Sequence, residues 1–369
     1  MKKLLIILSI LFSFNASSQQ PPIGVLYVGQ AGWQYYRTIT LDQPAGDLTD
    51  FPVLVAGTYA YLATTANGGN VTNASGYDIA FFSDAGLTTM LKFEREQYVA
   101  ATGQVTYWVK IPTLTSASAT VIYMAYGNTS ITTSQADVAN TWRSSYVGVY
   151  HLPDGTTLTS TDATANNYDA DPYSAPTAQT GKIYGGMGGT YLAVADQTAF
   201  TLSSGGTIEC WFYKTALGAG TMIDKTTASV REIMSGIVSN NTILFWMTDS
   251  TNSSYVGRRA PSTSYSLNTW HYAAFVYDGG ATNSSCKIYI DGVQVDNSDF
   301  GSGGFTSVRN TVSFLNIKKA SSGLGAELTG TMDEVRISNV THSSDWLLTQ
   351  FNSMNDPSTF YVVGSAVSL

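Results

Sequence analysis

Residues 268–339 carry three segments in succession, NTWHYAAFVYDG (268–279), CKIYIDGVQVD (286–296) and LTGTMDEVRISN (328–339), parted by Gly, Ser and Asn. Side chains alternate along a pleated strand, so Trp270, Tyr272, Ala274 and Val276 share one face while His271, Ala273, Phe275 and Tyr277 share the other. Both faces are largely apolar, which places this strand centrally in its sheet. The run from Lys287 to Asp291 alternates in the same way and ends in Asp291-Gly292, a tight hairpin signal leading into Val293–Val295. Layered antiparallel sheets are the fold class these patterns predict.

The N-terminal part repeats the theme with shorter strands. Alternating patterns cover residues 35–41, 51–55, 78–83, 91–99, 104–111 and 120–126, separated by Ala-Gly-Asp, Asn-Gly-Gly, Asp-Ala-Gly and Thr-Gly-Gln turns. Six short strands at this spacing predict a β-sandwich of their own. Near the C-terminus, residues 343–355 read as a helix. Ser343 is its N-cap, Asp345 suits the first-turn dipole, and Leu347 with Phe351 forms an apolar i,i+4 pair. Pro357 ends it before a closing strand over 359–364.

Both halves carry a family resemblance. The ordered motifs GWQYYRTITLD, LTDFPVLV, GYDIAFFSDAG, KFEREQY, VTYWVKIPTL and VIYMAYGN, spanning 33–142, resemble a bacterial domain of unknown function that precedes LamG-type domains and also occurs in proteins linked to TolQ/ExbB-type channels. From YVGVYHLPDG through TDATANNYDA, TGKIYGGMGGTYLAV and GTIECWFYK to the three segments above, the remainder resembles a LamG-like, concanavalin A-like lectin/glucanase domain. The expected architecture is therefore all-β: a signal segment (1–18), a leader (19–32), an N-terminal β-sandwich (33–142) and a concanavalin A-like jelly roll (146–369).

MKKLLIILSILFSFNASSQQ opens with two lysines, an apolar run from Leu4 to Phe14, and Ala16 and Ser18 where a signal peptidase would cut. The run is about 11 residues, short of the roughly 20 a membrane helix needs, so a secreted protein, extracellular or periplasmic, with no membrane span in the mature chain is expected. Removing the two lysines leaves 16 basic against 26 acidic residues. That balance, without a basic cluster, argues against nucleic acid. Export permits a disulfide between Cys210 and Cys286, but strands flanking a third lie about 9–10 Å apart, beyond bridging. A bond and two separate apolar fillers stand as equal alternatives.

The resemblance implies several sites. In concanavalin A-like folds an aspartate placed like Asp333 binds a structural calcium, with partners expected from the loop after His151, Asp154 or Asp162; calcium accepts such mixed oxygen donors. Saccharide-binding sandwiches lay aromatic rings against pyranose faces and flank them with polar groups. Tyr173, Trp246, Tyr255, Arg258 and Tyr265 are the residues named for that role, with Arg259 beside them. The Glu-x-Asp-x-Glu arrangement of related glucanases is missing from the sequence. Glu94 and Glu96 share a face, but an exposed polar stripe accounts for them. The expected function is non-catalytic recognition of a glycan or glycosylated surface partner. A protein-binding structural or adhesive role is the alternative, and a glycoside hydrolase the second.

Overall fold

The computed structural model describes residues 32–153, 158–227, 229–319 and 326–369, so the expected signal segment and nearly all of the leader lie outside the described residues. The first sandwich is built from β1 (Tyr35–Leu41), β2 (Leu48–Thr58), β3 (Ile79–Phe82), β4 (Phe93–Val99), β5 (Gln104–Leu114) and β6 (Thr120–Tyr126). One sheet runs β2-β5-β4 and the facing sheet contains β1-β6-β3. Phe81, Phe93 and Tyr107 meet edge to face between them, at centroid separations of 5.2 to 5.9 Å. That is the geometry aromatic quadrupoles favour.

The second unit begins with β7 (Tyr146–Tyr150), β8 (Ala170–Thr180), β9 (Gly185–Val194), β10 (Gly206–Lys214), β11 (Gly220–Thr226), β12 (Arg231–Ile237) and β13 (Ile243–Thr248). It continues with β14 (Tyr255–Ala260), β15 (Trp270–Tyr277), β16 (Cys286–Ile290), β17 (Val293–Gln294), β18 (Ser298–Asp299), β19 (Leu315–Ile317) and β20 (Gly330–Ser338). These form one antiparallel sheet, ordered β17-β16-β15-β10-β20-β9-β19-β11-β12-β13-β14-β18, with β7 on β20 and β8 on β9. The sheet curls until β13 lies over β15, where Phe245 and Phe275 pack at 5.6 Å. The Asp291-Gly292 turn between β16 and β17 has both residues at positive φ, 52° and 78°, as a two-residue hairpin of this hand requires.

The apolar character of both faces of β15 now has its reason. Ala273, Phe275 and Tyr277 point into the jelly-roll core. Tyr272, Ala274 and Val276 join the core of the first sandwich, together with Trp211 of β10 and Tyr289 of β16. One layer of the jelly roll is thus covered on its outer face by the other domain.

The C-terminal helix, Ser344–Asn355, is wedged into the same junction. Ser343 caps it, its hydroxyl accepting from the Trp346 N–H at 3.2 Å. Trp346 packs on Phe51 of β2 at 4.8 Å, while Phe351 stacks on Trp211 of β10 at 5.8 Å. The chain then departs from expectation. Residues 359–364 do not close the jelly roll. Instead β21 (Tyr361–Val363) and β22 (Val367–Ser368) pair with β1, placing Ile39 opposite Val363 and Tyr36 opposite Val367. Alternation marks a strand but not its partner, and here the partner is more than 300 residues back. The Tyr361 hydroxyl fixes the docking by donating to the Ala56 carbonyl at 2.8 Å. The second unit is therefore not the simple span 146–369, because its tail completes the first sandwich.

A junction of this kind should melt as one unit. Differential scanning calorimetry is expected to show a single transition. Trp346→Ala, which empties a site shared by both units, should cost about 3–5 kcal/mol while keeping one transition. Two separate transitions, with only one moved by the substitution, would contradict the shared core.

Candidate functional site

The other layer of the jelly roll has its outer face open. On β13, Ile243, Phe245 and Met247 point into the core. Leu244, Trp246 and Thr248 therefore face outward, and with Tyr255 and Arg259 of the neighbouring β14 they line a groove of about 620 Å³. Phe300 closes one side. Its ring lies 5.3 Å from Trp246 and 4.9 Å from Tyr255, and the Arg259 guanidinium sits 4.5 Å above it. Trp246 is almost covered, so Tyr255 and Phe300, both half-buried, offer the accessible ring surface.

Gly257 makes that arrangement possible. It pairs with Trp246 across the ladder. A Cβ there would lie 2.8 Å from the Trp246 Cβ and 2.9 Å from the Phe300 carbonyl. The Phe245 carbonyl of β13 would be nearer still, at 2.5 Å, so a larger residue would disturb both the β13–β14 pairing and the seat of Phe300. The rim is polar and pinned: Asn252 accepts from the Arg231 N–H at 3.2 Å and donates to the Ser229 carbonyl at 3.1 Å, while Asn240 accepts from the Thr242 hydroxyl at 2.7 Å.

The sequence-named residues divide accordingly. Trp246 and Tyr255 meet in the groove. Arg258 does not: it points to the opposite face of β14, where its Nε donates to Asp296 at 2.7 Å and its Nη1 pairs with Asp299. Its neighbour Arg259 takes the groove position, since adjacent residues on a strand face opposite ways. Tyr265 is buried against Phe212. Tyr173 is exposed and stacks on Tyr191 at 4.8 Å, on β8 and β9 rather than in the groove. Phe300 and Arg231 were not named from the sequence: Phe300 enters from a loop with no strand pattern of its own, and Arg231 stands at the very start of β12.

Cys210 and Cys286 are free and buried in the jelly-roll core. They stand on β10 and β16, with β15 between them. Asp333 is fully buried, and its Oδ2 accepts from the N–H groups of Lys182 and Ile183 at 2.8 and 2.9 Å. Asp162 accepts from the N–H groups of Val149, Thr164 and Tyr168. Each carboxylate thus ties down its own loop with backbone donors; Asp154 lies outside the described residues.

A second cluster lies hidden where the two units meet, and the reading of Glu94 and Glu96 as an exposed stripe is corrected by it. Both carboxylates are buried, their side chains 11% and 3% exposed. Glu94 accepts from Trp142 Nε1 at 2.7 Å, and Glu96 from Trp108 Nε1 at 3.1 Å. Into this cage the jelly roll inserts His151 and Arg336. His151 places Nε2 3.2 Å from Glu94 and Nδ1 2.8 Å from Glu334. Arg336 donates to the other Glu334 oxygen at 2.6 Å, its guanidinium carbon 4.3 Å over Trp108 and 4.8 Å over Trp142.

Two bulges aim these groups. The register of β4 against β5 shifts between Arg95 and Gln97. That of β20 against β10 shifts between Asp333 and Arg336, and Glu334 sits there in the left-handed region at φ 50°. Such a conformation costs a non-glycine residue about 1–3 kcal/mol; the pairings with His151 and Arg336 offset it.

Burial alone would push the His151 imidazole down, but Glu334 and Glu94 lift it well above its ordinary value. Burial pushes Glu96 up to about 8. For Glu334, the desolvation of burial is outweighed by His151 and Arg336, which hold it below the usual carboxylate range. Asp333 is raised well above that range by burial and by Glu334. Glu96, His151 and Glu334 are also the one group among the described residues whose ligand atoms lie close enough, within 4.8 Å, for a metal. Both histidine nitrogens already face carboxylates, however, and Arg336 holds the remaining Glu334 oxygen. The imidazolium and guanidinium supply the positive charge in this arrangement.

The curled sheet and its open aromatic groove define a concanavalin A-like sandwich joined to a smaller one. Two family models match accordingly: a domain of unknown function, DUF2341, over residues 75–167, and the concanavalin A-like lectin/glucanases superfamily over residues 185–347. The matched order, DUF2341 and then the concanavalin A-like superfamily, is the architecture that the sequence motifs predict. Among solved structures it is similar to the binding domain of Paraclostridial Mosquitocidal Protein 1 (14% identity over 57% of this chain and 52% of that one, TM-score 0.44). It is also similar to the botulinum neurotoxin serotype D binding domain (12%, 56% and 51%, TM-score 0.42). A third is domain 4 of AbnA, a GH43 extracellular arabinanase from Geobacillus stearothermophilus, in complex with arabinotriose (17%, 55% and 96%, TM-score 0.41). The chain spans about half the length of the toxin binding domains. A search of curated proteins finds no match. Among the described residues no helix is long and apolar enough to cross a membrane.

The cluster sets a pH dependence. An unfolded glutamate ionises near its ordinary value of 4.5, whereas Glu96 keeps its proton in the folded state to about 8. Stability therefore falls as pH rises through that window. The raised His151 acts in the same sense, its contribution present below about 6.5 and lost as pH climbs through the folded value. Thermal midpoints should decline between pH 5 and 9, and Glu96→Gln should flatten that decline. An unchanged slope in the variant would contradict the assignment.

Proposed function

We propose that the protein is a secreted recognition protein that holds a saccharide in the groove floored by Trp246, Tyr255 and Phe300. The observation that carries this reading is the aromatic floor itself, kept accessible by Gly257 on the one jelly-roll layer the first sandwich leaves uncovered. The apolar face of a pyranose ring suits stacking on such rings, and the surrounding Asn, Ser and Thr groups suit its hydroxyls. The match to a lectin/glucanase superfamily supports the same reading at the level of fold. Buried anchoring at the domain junction would keep the groove's supporting layers rigid, so little ordering would accompany binding.

Retention on immobilised polysaccharides, followed by calorimetric titration with the oligosaccharides of those retained, tests the reading. Tyr255→Ala should weaken binding about tenfold or more, equivalent to about 1.4 kcal/mol, with the thermal midpoint nearly unchanged. Gly257→Val should abolish it by forcing apart β13, β14 and the Phe300 loop beneath the groove. Full affinity in both variants would place the ligand elsewhere and overturn the proposal.

A further inference from the structure

We infer that the saccharide is anionic, carrying a carboxylate or a sulfate ester that Arg259 receives; this rests on the groove being the saccharide site. The chain has 26 acidic against 18 basic residues, yet none of the thirteen residues lining the groove is Asp or Glu, and two, Arg231 and Arg259, are arginines. Arg258, one position away, is engaged by Asp296 and Asp299. Arg259 has no such partner among the described residues: no carboxylate lies within ion-pair distance, and its Nε is buried without a hydrogen-bond acceptor. A buried donor left unmatched is costly. Its guanidinium carbon nonetheless rests 4.5 Å over the Phe300 ring centre, so the group is positioned before any ligand arrives. Its planar fork matches the two oxygens of a carboxylate or sulfate, and an arginine already fixed on a ring loses little freedom in binding them. Arg231, at the start of β12, has its backbone N–H held by Asn252. Long-range attraction cannot account for the preference, because the whole molecule is acidic, with a net charge of -8, and repels polyanions at a distance.

The test uses the full mature chain with two matched pairs of polymers: polygalacturonate against its methyl ester, and dextran sulfate against dextran. Binding is expected to one or both charged members, at least tenfold tighter than to its neutral partner, and to weaken with rising salt. Arg259→Gln should remove that preference, and Arg259→Lys, which keeps the charge but not the fork, should restore part of it. Thermal midpoints of the variants confirm that they fold. Retention of only the carboxylated or only the sulfated polymer identifies the group received. Equal binding of charged and neutral partners, unaffected by Arg259→Gln but lost in Tyr255→Ala, would overturn the charge assignment and leave the saccharide reading standing. Binding of none of the four would overturn both.

Discussion

A histidine and an arginine from one domain are enclosed by the tryptophans and carboxylates of the other, and the rest of the molecule is arranged around that enclosure. His151 and Arg336 leave the jelly roll to lie against Trp108 and Trp142, with Glu94 and Glu334 on opposite nitrogens of the imidazole. Buried charges are tolerated only when paired and hydrogen-bonded, so neither half of the cluster could stay buried without the other. Isolating the first sandwich would leave Glu94 and Glu96 without their cationic partner. Isolating the jelly roll would leave Arg336 and Glu334 facing water on a surface made of Trp211, Tyr272 and Val276.

The enclosure has a geometric consequence. It covers the outer face of the layer containing β10, β15 and β16, and the C-terminal helix and β21 seal the seam from the other side. The layer containing β12, β13 and β14 is not covered by the first sandwich, and there Leu244 and Trp246 pack with Met234, Val238 and Phe300 into a small cluster beneath the groove. The division of labour between the two layers follows from which one the first sandwich occupies.

Strand patterns were legible because a half-buried strand must alternate, and the Asp291-Gly292 turn and the Ser343 cap were legible because each meets a local backbone need. What alternation could not show was what lies over a face. Glu94 and Glu96 look the same whether water or a second domain covers them, and bulges in β4 and β20 re-aim side chains in ways a period of two does not register. His151 stood alone in the sequence because its partners are 57 and 183 residues away. In the groove, Trp246 and Tyr255 could be named as aromatic candidates. The choice between Arg258 and Arg259 turned on a one-residue phase that only the ladder with β13 settles, and Phe300 arrives from a loop with no pattern to read.

The enclosure is tested most directly by a double-mutant cycle across the domain boundary, with Glu94→Gln, His151→Gln and the pair, each unfolded in denaturant at pH 6. A buried charged hydrogen bond between the two should appear as a coupling free energy of about 2 kcal/mol. Single-mutant effects that add to within about 0.5 kcal/mol would show that the two residues do not interact, and would contradict the domain junction described above.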